Sequence, residues 1–167
     1  DRVVAIDVGT QSARALVVDP NGTIVAAARV PFTPYVSPHP GWAEQDPEVY
    51  WAAVGEACRR VLADPAVHLD SLAGVALTTQ RGTVVVTDAD GTPLRPAITW
   101  LDDRRTSGLP PLGGVTGITA LGFRILGLRD TIETFAAACE AGWLRDNEPE
   151  TWDRIRHYLF LSGFLSH

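Results

Sequence analysis

The chain has 167 residues, 46% of them hydrophobic and 20% charged, which is enough for one domain with a sizeable core. Its formal net charge is −6, with 14 basic and 20 acidic residues, so nucleic acid and acidic membrane surfaces are not expected as partners. No apolar run approaches the roughly 20 residues that span a bilayer. The two cysteines, Cys58 and Cys139, fall on predicted helices and are expected to be buried free thiols in a reducing cytoplasm. The sequence contains no methionine, which favours an excerpt of a longer protein.

The first 30 residues predict three antiparallel strands. The run Val3 to Val8 lacks polar alternation until its acid, as in a central strand that is buried on both faces. A second apolar run, Ala13 to Asp19, reverses at Pro20-Asn21-Gly22 into a third, Thr23 to Val30. The pattern therefore predicts a β-hairpin followed by a further antiparallel strand.

A proline-rich loop and a helix come next. Four prolines between residues 31 and 45 exclude a regular helix or a central strand there, and Trp42 is the expected aromatic anchor of this exposed loop. Asp46 is a good N-cap and Pro47 suits the first helical position. The helix should run to about Ala63, with an apolar face formed by Tyr50, Val54, Cys58 and Val61.

The next three predicted elements are strands. Leu72 to Thr78 follows a helical crossover and should lie parallel to one of the earlier strands. Val84 to Thr87 turns at residues 88–91 toward a short strand from Pro96 to Trp100.

The last third of the chain is less regular. Residues 107–128 are rich in glycine and proline and predict a loop with a short helix. A helix is expected from Asp130 through Trp143, with Ile132, Phe135, Ala136 and Cys139 on the same stripe. Pro149 opens another short helix, and His157 to Leu161 is compatible with a strand. The four histidines have no metal-ligand spacing and are expected to be structural or surface residues.

The turn between the first two strands carries the functional signal. Its glycine, Gly9, lets backbone amides approach a phosphate, the hydroxyls add donors, and Arg14 can pair with phosphate oxygens. Asp7 stands at a strand end, where a carboxylate suits Mg²⁺ with its waters. The alternative is an ordinary hairpin with a polar turn. The spacing of the whole octet favours a phosphate site, formed by Asp7, Gly9, Thr10, Gln11, Ser12 and Arg14.

This octet resembles the first phosphate motif of the actin-like ATPase fold. Two later stretches, residues 41–47 (Gly-Trp-Ala-Glu-Gln-Asp-Pro) and Trp51, resemble a segment of the FGGY carbohydrate kinases, which include glycerol kinase and xylulokinase. Residues 79–83 (Thr-Gln-Arg-Gly-Thr) and 100–105 (Trp-Leu-Asp-Asp-Arg-Arg) resemble that family's substrate-side loops. The resemblance implies an α/β fold of the actin-like (ribonuclease H-like) class, with a mixed sheet that opens with three antiparallel strands and has helices packed on it.

The same resemblance implies roles for individual residues. The octet would face ATP and Mg²⁺, with Asp7 toward the metal, and four residues would face the sugar or polyol: Gln80, Arg81, Trp100 and Asp102. A core position for Trp100 and a solvated loop position for Arg81 stay open as alternatives. Asp103, Arg104 and Arg105 are expected to be surface or helix-start charges.

The substrate-side loop departs from both subfamilies. Glycerol kinases typically have Gln-Arg-Glu-Thr where this chain has Gln-Arg-Gly-Thr, and xylulokinases typically have Gln-Met-His-Gly. Neither substrate can therefore be assigned.

The family's general base is expected downstream of residue 167, so residues 1–167 would be part of an N-terminal domain that lacks a catalytic residue and is inactive alone. The expected function of the whole protein is ATP-dependent phosphorylation of a small sugar or polyol in the cytoplasm. The alternative is a non-catalytic sugar-sensing or assembly module with the same fold. The oligomeric state is open, and a homodimer is one of the states considered.

Overall fold

The computed structural model describes residues 1–106 and 139–167, which form two four-stranded sheets with helices. Three predicted antiparallel strands open the chain: β1 (Arg2–Val8), β2 (Ser12–Val18) and β3 (Ile24–Pro31). β5 (Leu72–Thr79) pairs with β1 in parallel, so the first sheet has the order β3-β2-β1-β5. The predicted mixed sheet is confirmed, and a crossover helix supplies the connection that parallel pairing needs.

The crossover helix is α1 (Pro47–Leu62), and it begins where the sequence predicts. The Asp46 side chain caps it by accepting a hydrogen bond from the Glu48 backbone N–H at 3.0 Å. A single turn of 3₁₀ helix at Leu69–Ser71 leads from α1 into β5. Small side chains let α1 approach the sheet closely, and its buried residues are Pro47, Tyr50, Ala53, Ala57 and Val61.

β1 is central in the sheet but is not buried on both faces. Val4 and Val8 are buried against α1, whereas Val3 is 41% exposed. α1 packs on one face of the sheet, and no other element in the described part of the chain covers the opposite face at Val3. The expectation of burial on both faces is therefore wrong for these residues.

The second sheet has the order β4-β7-β6-β8 and was not predicted as a separate sheet. Its strands are β4 (Glu44–Gln45), β6 (Val84–Thr87), β7 (Ala97–Ile98) and β8 (His157–Phe160). β4 lies within the stretch that was predicted to be an exposed loop, and it adds two residues to the edge of the sheet. That prediction is wrong for Glu44 and Gln45, which are buried. Such a short edge pairing tolerates neighbouring prolines.

Three short helices complete the described chain: α2 (Glu140–Asn147), α3 (Pro149–Arg154) and α4 (Leu161–Ser166). The predicted helix around Trp143 is observed from Glu140 onward, and the part of that prediction before residue 139 lies outside the described residues, as does the loop predicted at 107–128. Among the described residues no helix is long and apolar enough to cross a bilayer.

The cysteines are less buried than the sequence predicts. Cys58 is half-buried beside the core, and Cys139 is exposed at the start of α2. Cys139 lies at the N-cap position of α2, whose described residues begin at Glu140. The prediction of two buried thiols is therefore wrong for Cys139.

Candidate active site at the hairpin tip

The turn between β1 and β2 is held by backbone hydrogen bonds. The Gly9 N–H donates to the Ser12 carbonyl at 3.1 Å, and the Phe32 N–H donates to the Gln11 carbonyl at 3.0 Å. The second bond ties the turn to the end of β3. A fixed turn favours anion binding, because the turn loses little conformational entropy when its donors bind the anion.

Asp7 and Arg14 face each other across the hairpin. They are register partners on β1 and β2, and Arg14 Nη1 donates to Asp7 Oδ2 at 2.7 Å. The Asp7 side chain is 38% exposed and the Arg14 side chain 50%. The pair is therefore accessible to a ligand, and the solvated ion pair itself contributes little to stability.

An open pocket of about 450 Å³ lies at the tip. Five of the six predicted phosphate-site residues line it, and Asp7 adjoins it through Arg14. The sequence did not predict Arg29 and Leu101 as lining residues. It also did not predict that Trp100 lines this pocket. The complete lining is Gly9, Thr10, Gln11, Ser12, Arg14, Arg29, Trp100 and Leu101.

Trp100 joins the hairpin tip to the predicted substrate side. Its indole Nε1–H donates to the Thr10 hydroxyl oxygen at 3.2 Å, although the two residues are 90 positions apart. Its side chain is 53% exposed. The alternative of a core tryptophan is therefore wrong, and the ring is available to cover a ligand at the tip.

Gln80 and Arg81 line a neighbouring pocket of about 440 Å³, together with Phe160 and Ser162. Gln80 Nε2 donates to the Tyr50 hydroxyl at 3.1 Å, and burial raises the pKa of Tyr50 to about 12. Tyr50 is therefore neutral at physiological pH. The Gln80 Oε1 atom is buried and has no donor in the described part of the chain, so it is an acceptor that a substrate hydroxyl could satisfy.

Gly82 packs directly beneath Trp100. Its φ is +70°, and a Cβ atom built there would lie 3.2 Å from the Trp100 Cβ. A side chain at this position would be strained both by the backbone conformation and by the contact. Glycine at this position therefore permits both the turn and the close approach of Trp100.

Asp102 does not face either pocket, which corrects the prediction that it contacts the sugar. Its side chain is 2% exposed and is held by Arg104, whose Nε and Nη2 donate to the two carboxylate oxygens at 2.7 and 2.6 Å. The Ala43 N–H donates to Oδ2 at 2.7 Å as well. Burial alone would raise the pKa of Asp102, but the hydrogen bonds from Arg104 and Ala43 outweigh it and lower that pKa.

Arg104 is buried, whereas a surface charge was expected. Its side chain is 2% exposed, and its Nη2 also donates to Glu44 Oε1 at 2.8 Å. The guanidinium carbon lies 4.0 Å from the ring centre of Trp42 and 4.5 Å from that of Trp143. We call these five residues, Trp42, Glu44, Asp102, Arg104 and Trp143, the arginine cluster.

The arginine cluster holds two loops together. The Thr99 N–H donates to the Ala43 carbonyl at 2.9 Å, and the Asp103 N–H donates to the Gly41 carbonyl at 2.7 Å. Trp100 lies between Thr99 and Asp102, so the loop that carries the indole is fixed on both sides. The Gly-Trp-Ala-Glu stretch thus holds the loop that carries Trp100 in place.

The polar groups at the hairpin tip are suitable for binding a magnesium nucleotide. The lining of the tip pocket offers hydroxyls and two arginines, and the adjoining Asp7 offers one part-exposed carboxylate, whose second oxygen has no partner in the described chain. No group of three or more His, Cys, Asp or Glu side chains within residues 1–106 and 139–167 could hold a metal on its own. Mg²⁺ bound with a nucleotide needs only one or two carboxylates, because phosphates and waters supply the remaining ligands.

Comparison with known proteins gives a consistent assignment. The model of the N-terminal domain of the FGGY family of carbohydrate kinases matches residues 2–167. A glycerol kinase of Marinomonas sp. (strain MWYL1) is 36% identical over 146 residues, which cover 87% of this chain and 29% of that protein. A glycerol kinase of Shewanella baltica (strain OS185) is 34% identical over 164 residues, covering 98% of this chain and 32% of that protein.

A solved structure agrees with these relatives. The xylulose kinase from Rhodospirillum rubrum superposes with a TM-score of 0.71 at 25% identity, over 99% of this chain and 33% of that one. The predicted actin-like ATPase fold is thereby confirmed, and the chain spans about a third of the length of the relatives it matches. Because the family model matches residues 2–167, the chain belongs to the FGGY family of carbohydrate kinases and corresponds to the N-terminal domain.

Proposed function

We propose that the protein containing this chain transfers a phosphoryl group from MgATP to a hydroxyl of a small sugar or polyol. The observation that carries the proposal is the hydrogen bond from Trp100 to Thr10, which joins the turn between β1 and β2 to the loop that carries Trp100. The family membership supports the same reaction. Residues 1–167 would form the first part of a larger N-terminal domain in a cytoplasmic enzyme.

The nucleotide side of the cleft would be formed by the hairpin tip. Thr10 and Ser12 supply hydroxyl donors, and Arg14 can turn from Asp7 toward phosphate oxygens. Asp7 is then free to accept hydrogen bonds from metal-bound water. Mg²⁺ bound there would stabilise charge on the transferred phosphoryl group.

The sugar side would be formed by Gln80, Arg81 and Trp100. The amide and guanidinium can hydrogen-bond to hydroxyls, and the indole covers the carbon chain and excludes water. The general base that receives the hydroxyl proton is expected outside this chain. Positioning of the substrate by these residues would nonetheless raise the reaction rate, because a substrate held in a fixed geometry loses less entropy on reaching the transition state.

Xylulose-like ketoses and glycerol are the first substrates to test, since relatives of both kinds match the chain. Gly82 supplies no carboxylate at the position where glycerol kinases typically have one, so glycerol is not preferred over ketoses in the panel. A panel of ketoses and polyols in a coupled ATP assay on the complete protein tests the proposal. Activity on at least one ketose or polyol is expected, and silence on the whole panel would refute the kinase proposal.

Two substitutions in the complete protein test which side of the cleft binds the nucleotide and which side binds the sugar. Asp7→Ala should lower kcat by at least about tenfold while leaving the sugar KM within a factor of about two, because its partner is the metal nucleotide. Arg81→Ala should raise the sugar KM by about tenfold or more and change kcat less. The reverse pair of profiles would show that the two sides are assigned wrongly. Arg105→Ala, at an exposed loop arginine outside both pockets, is the control.

A further inference from the structure

A row of polar side chains crosses the first sheet at the hairpin tip. Arg29 on β3 is the register partner of Arg14 on β2, and Arg14 is the partner of Asp7 on β1. Directly paired residues project from the same face of a sheet. The three charged side chains therefore stand side by side on one face, and both arginines line the tip pocket.

The charges in this row do not balance. Asp7 accepts a hydrogen bond from Arg14, and no hydrogen bond or ion pair from Arg29 is found in the described part of the chain. Like charges directly opposite each other on neighbouring strands are destabilising. Two arginines beside one carboxylate leave one positive charge in the pocket, which an anionic ligand would neutralise.

A β-bulge places Arg29 in this row. The register of β2 and β3 shifts between Val17 and Val18, so that Val18 pairs with Ile24 but Val17 pairs with Ala26. Without that shift, the partner of Arg14 would be Ala28. A one-residue slip turns side chains to the opposite face, so Arg29 would project away from the pocket.

We propose that Arg29 is a second phosphate-binding arginine of the tip pocket, acting beside Arg14 on the phosphate oxygens of the nucleotide. The inference rests on the function proposed above and adds a residue to it. Arg14 is partly neutralised by Asp7, so Arg29 supplies the uncompensated charge. A phosphorylated sugar is the other source of phosphate at this pocket, and the experiment separates the two.

The test uses the complete protein and isothermal titration with MgADP, and separately with a sugar phosphate made from the best substrate. Arg29→Gln should weaken MgADP binding by about tenfold, the effect of one charge-assisted hydrogen bond at a part-exposed site. Arg29→Lys should recover part of that loss. Arg60→Gln is the matched control, because it removes the same charge from the exposed side of α1, where Arg60 pairs with Glu56.

The outcomes distinguish this inference from the proposed function. Equal MgADP affinity in wild type and Arg29→Gln, or an equal loss in Arg60→Gln, would overturn the role of Arg29, even if the enzyme is an active kinase. A loss confined to the sugar phosphate would also overturn the assignment to the nucleotide. If the wild type binds MgADP with Arg29 dependence but phosphorylates nothing on the panel, the kinase proposal fails and the phosphate site stands.

Discussion

Arg104 contacts two residues of the Gly-Trp-Ala-Glu stretch, Trp42 and Glu44, and so explains the structural role of that stretch. Its guanidinium lies over two indole rings and reaches two carboxylates, Asp102 and Glu44. Burial would lower the pKa of Arg104, but the hydrogen bonds that it donates to both carboxylates raise that pKa above its usual value. Removing the cation would leave the buried carboxylate of Asp102 without its cationic partner, whereas Glu44 would keep Arg95. Loss of a buried partner is far costlier than loss of a solvated ion pair.

Arg104→Met should destabilise the protein by about 3–5 kcal/mol, because the replacement leaves the buried charge of Asp102 without a cationic partner. Glu44 keeps its ion pair with Arg95. Thermal denaturation measures the effect as a lower Tm. Arg105→Met is the matched control in the next position: its side chain is exposed, and a change within about 1 kcal/mol is expected. Equal losses in the two variants would show that the arginine cluster does not stabilise this loop.

Helix α1 illustrates how a local signal fixes an element boundary. Asp46 accepts the Glu48 N–H in the extended conformation typical of an N-cap, and Pro47 occupies the first turn. These signals lie next to each other in the sequence, so the start of α1 could be predicted without tertiary information. The cap also orients the first turn, in which Tyr50 reaches Gln80.

Asp46→Ala should lower the free energy of unfolding by about 1 kcal/mol, since the first turn loses a hydrogen-bond acceptor for its backbone. Asp46→Asn keeps a capping oxygen and should cost less. Urea denaturation of the two variants beside wild type gives both values. The capping role is contradicted if Asn and Ala cost the same.

At the scale of the molecule, the two edges of the first sheet differ. β5 lies at one edge, with Ala73, Gly74, Val75 and Ala76 exposed and Val75 at 69%. Within the described residues it pairs on one side only, with β1. A flat, apolar edge of this kind favours pairing with another strand. The opposite edge, β3, carries an arginine and ends in a proline, both of which oppose such pairing.

Val75→Lys should reduce self-association of the 167-residue chain, because a charge on the edge strand blocks edge-to-edge pairing. Sedimentation velocity at several concentrations measures the monomer fraction. Ile24→Lys, at a 57% exposed residue of β3, is the control and should have the smaller effect. A larger effect at Ile24, or none at Val75, would show that the β5 edge is not the contact.

Local patterns in the sequence were sufficient to predict the hairpin, its polar turn and the cap of α1. Each depends on residues close together in the chain, whose conformational preferences and hydrogen bonds act over a few positions. The family resemblance likewise rested on contiguous stretches. The residues that could be predicted at the tip, from Gly9 to Arg14, are all within one turn and its flanking strands.

The contacts between distant stretches were decided only by the tertiary structure. Asp102 and Trp100 are two positions apart, yet the first is buried against Arg104 and the second is exposed beside Thr10. The bulge at Val17 and Val18 sets which face Arg29 occupies, since a shift of one residue reverses every side chain on a strand. Burial and strand register depend on residues far apart in the chain, so a local sequence pattern is not sufficient to predict either of them.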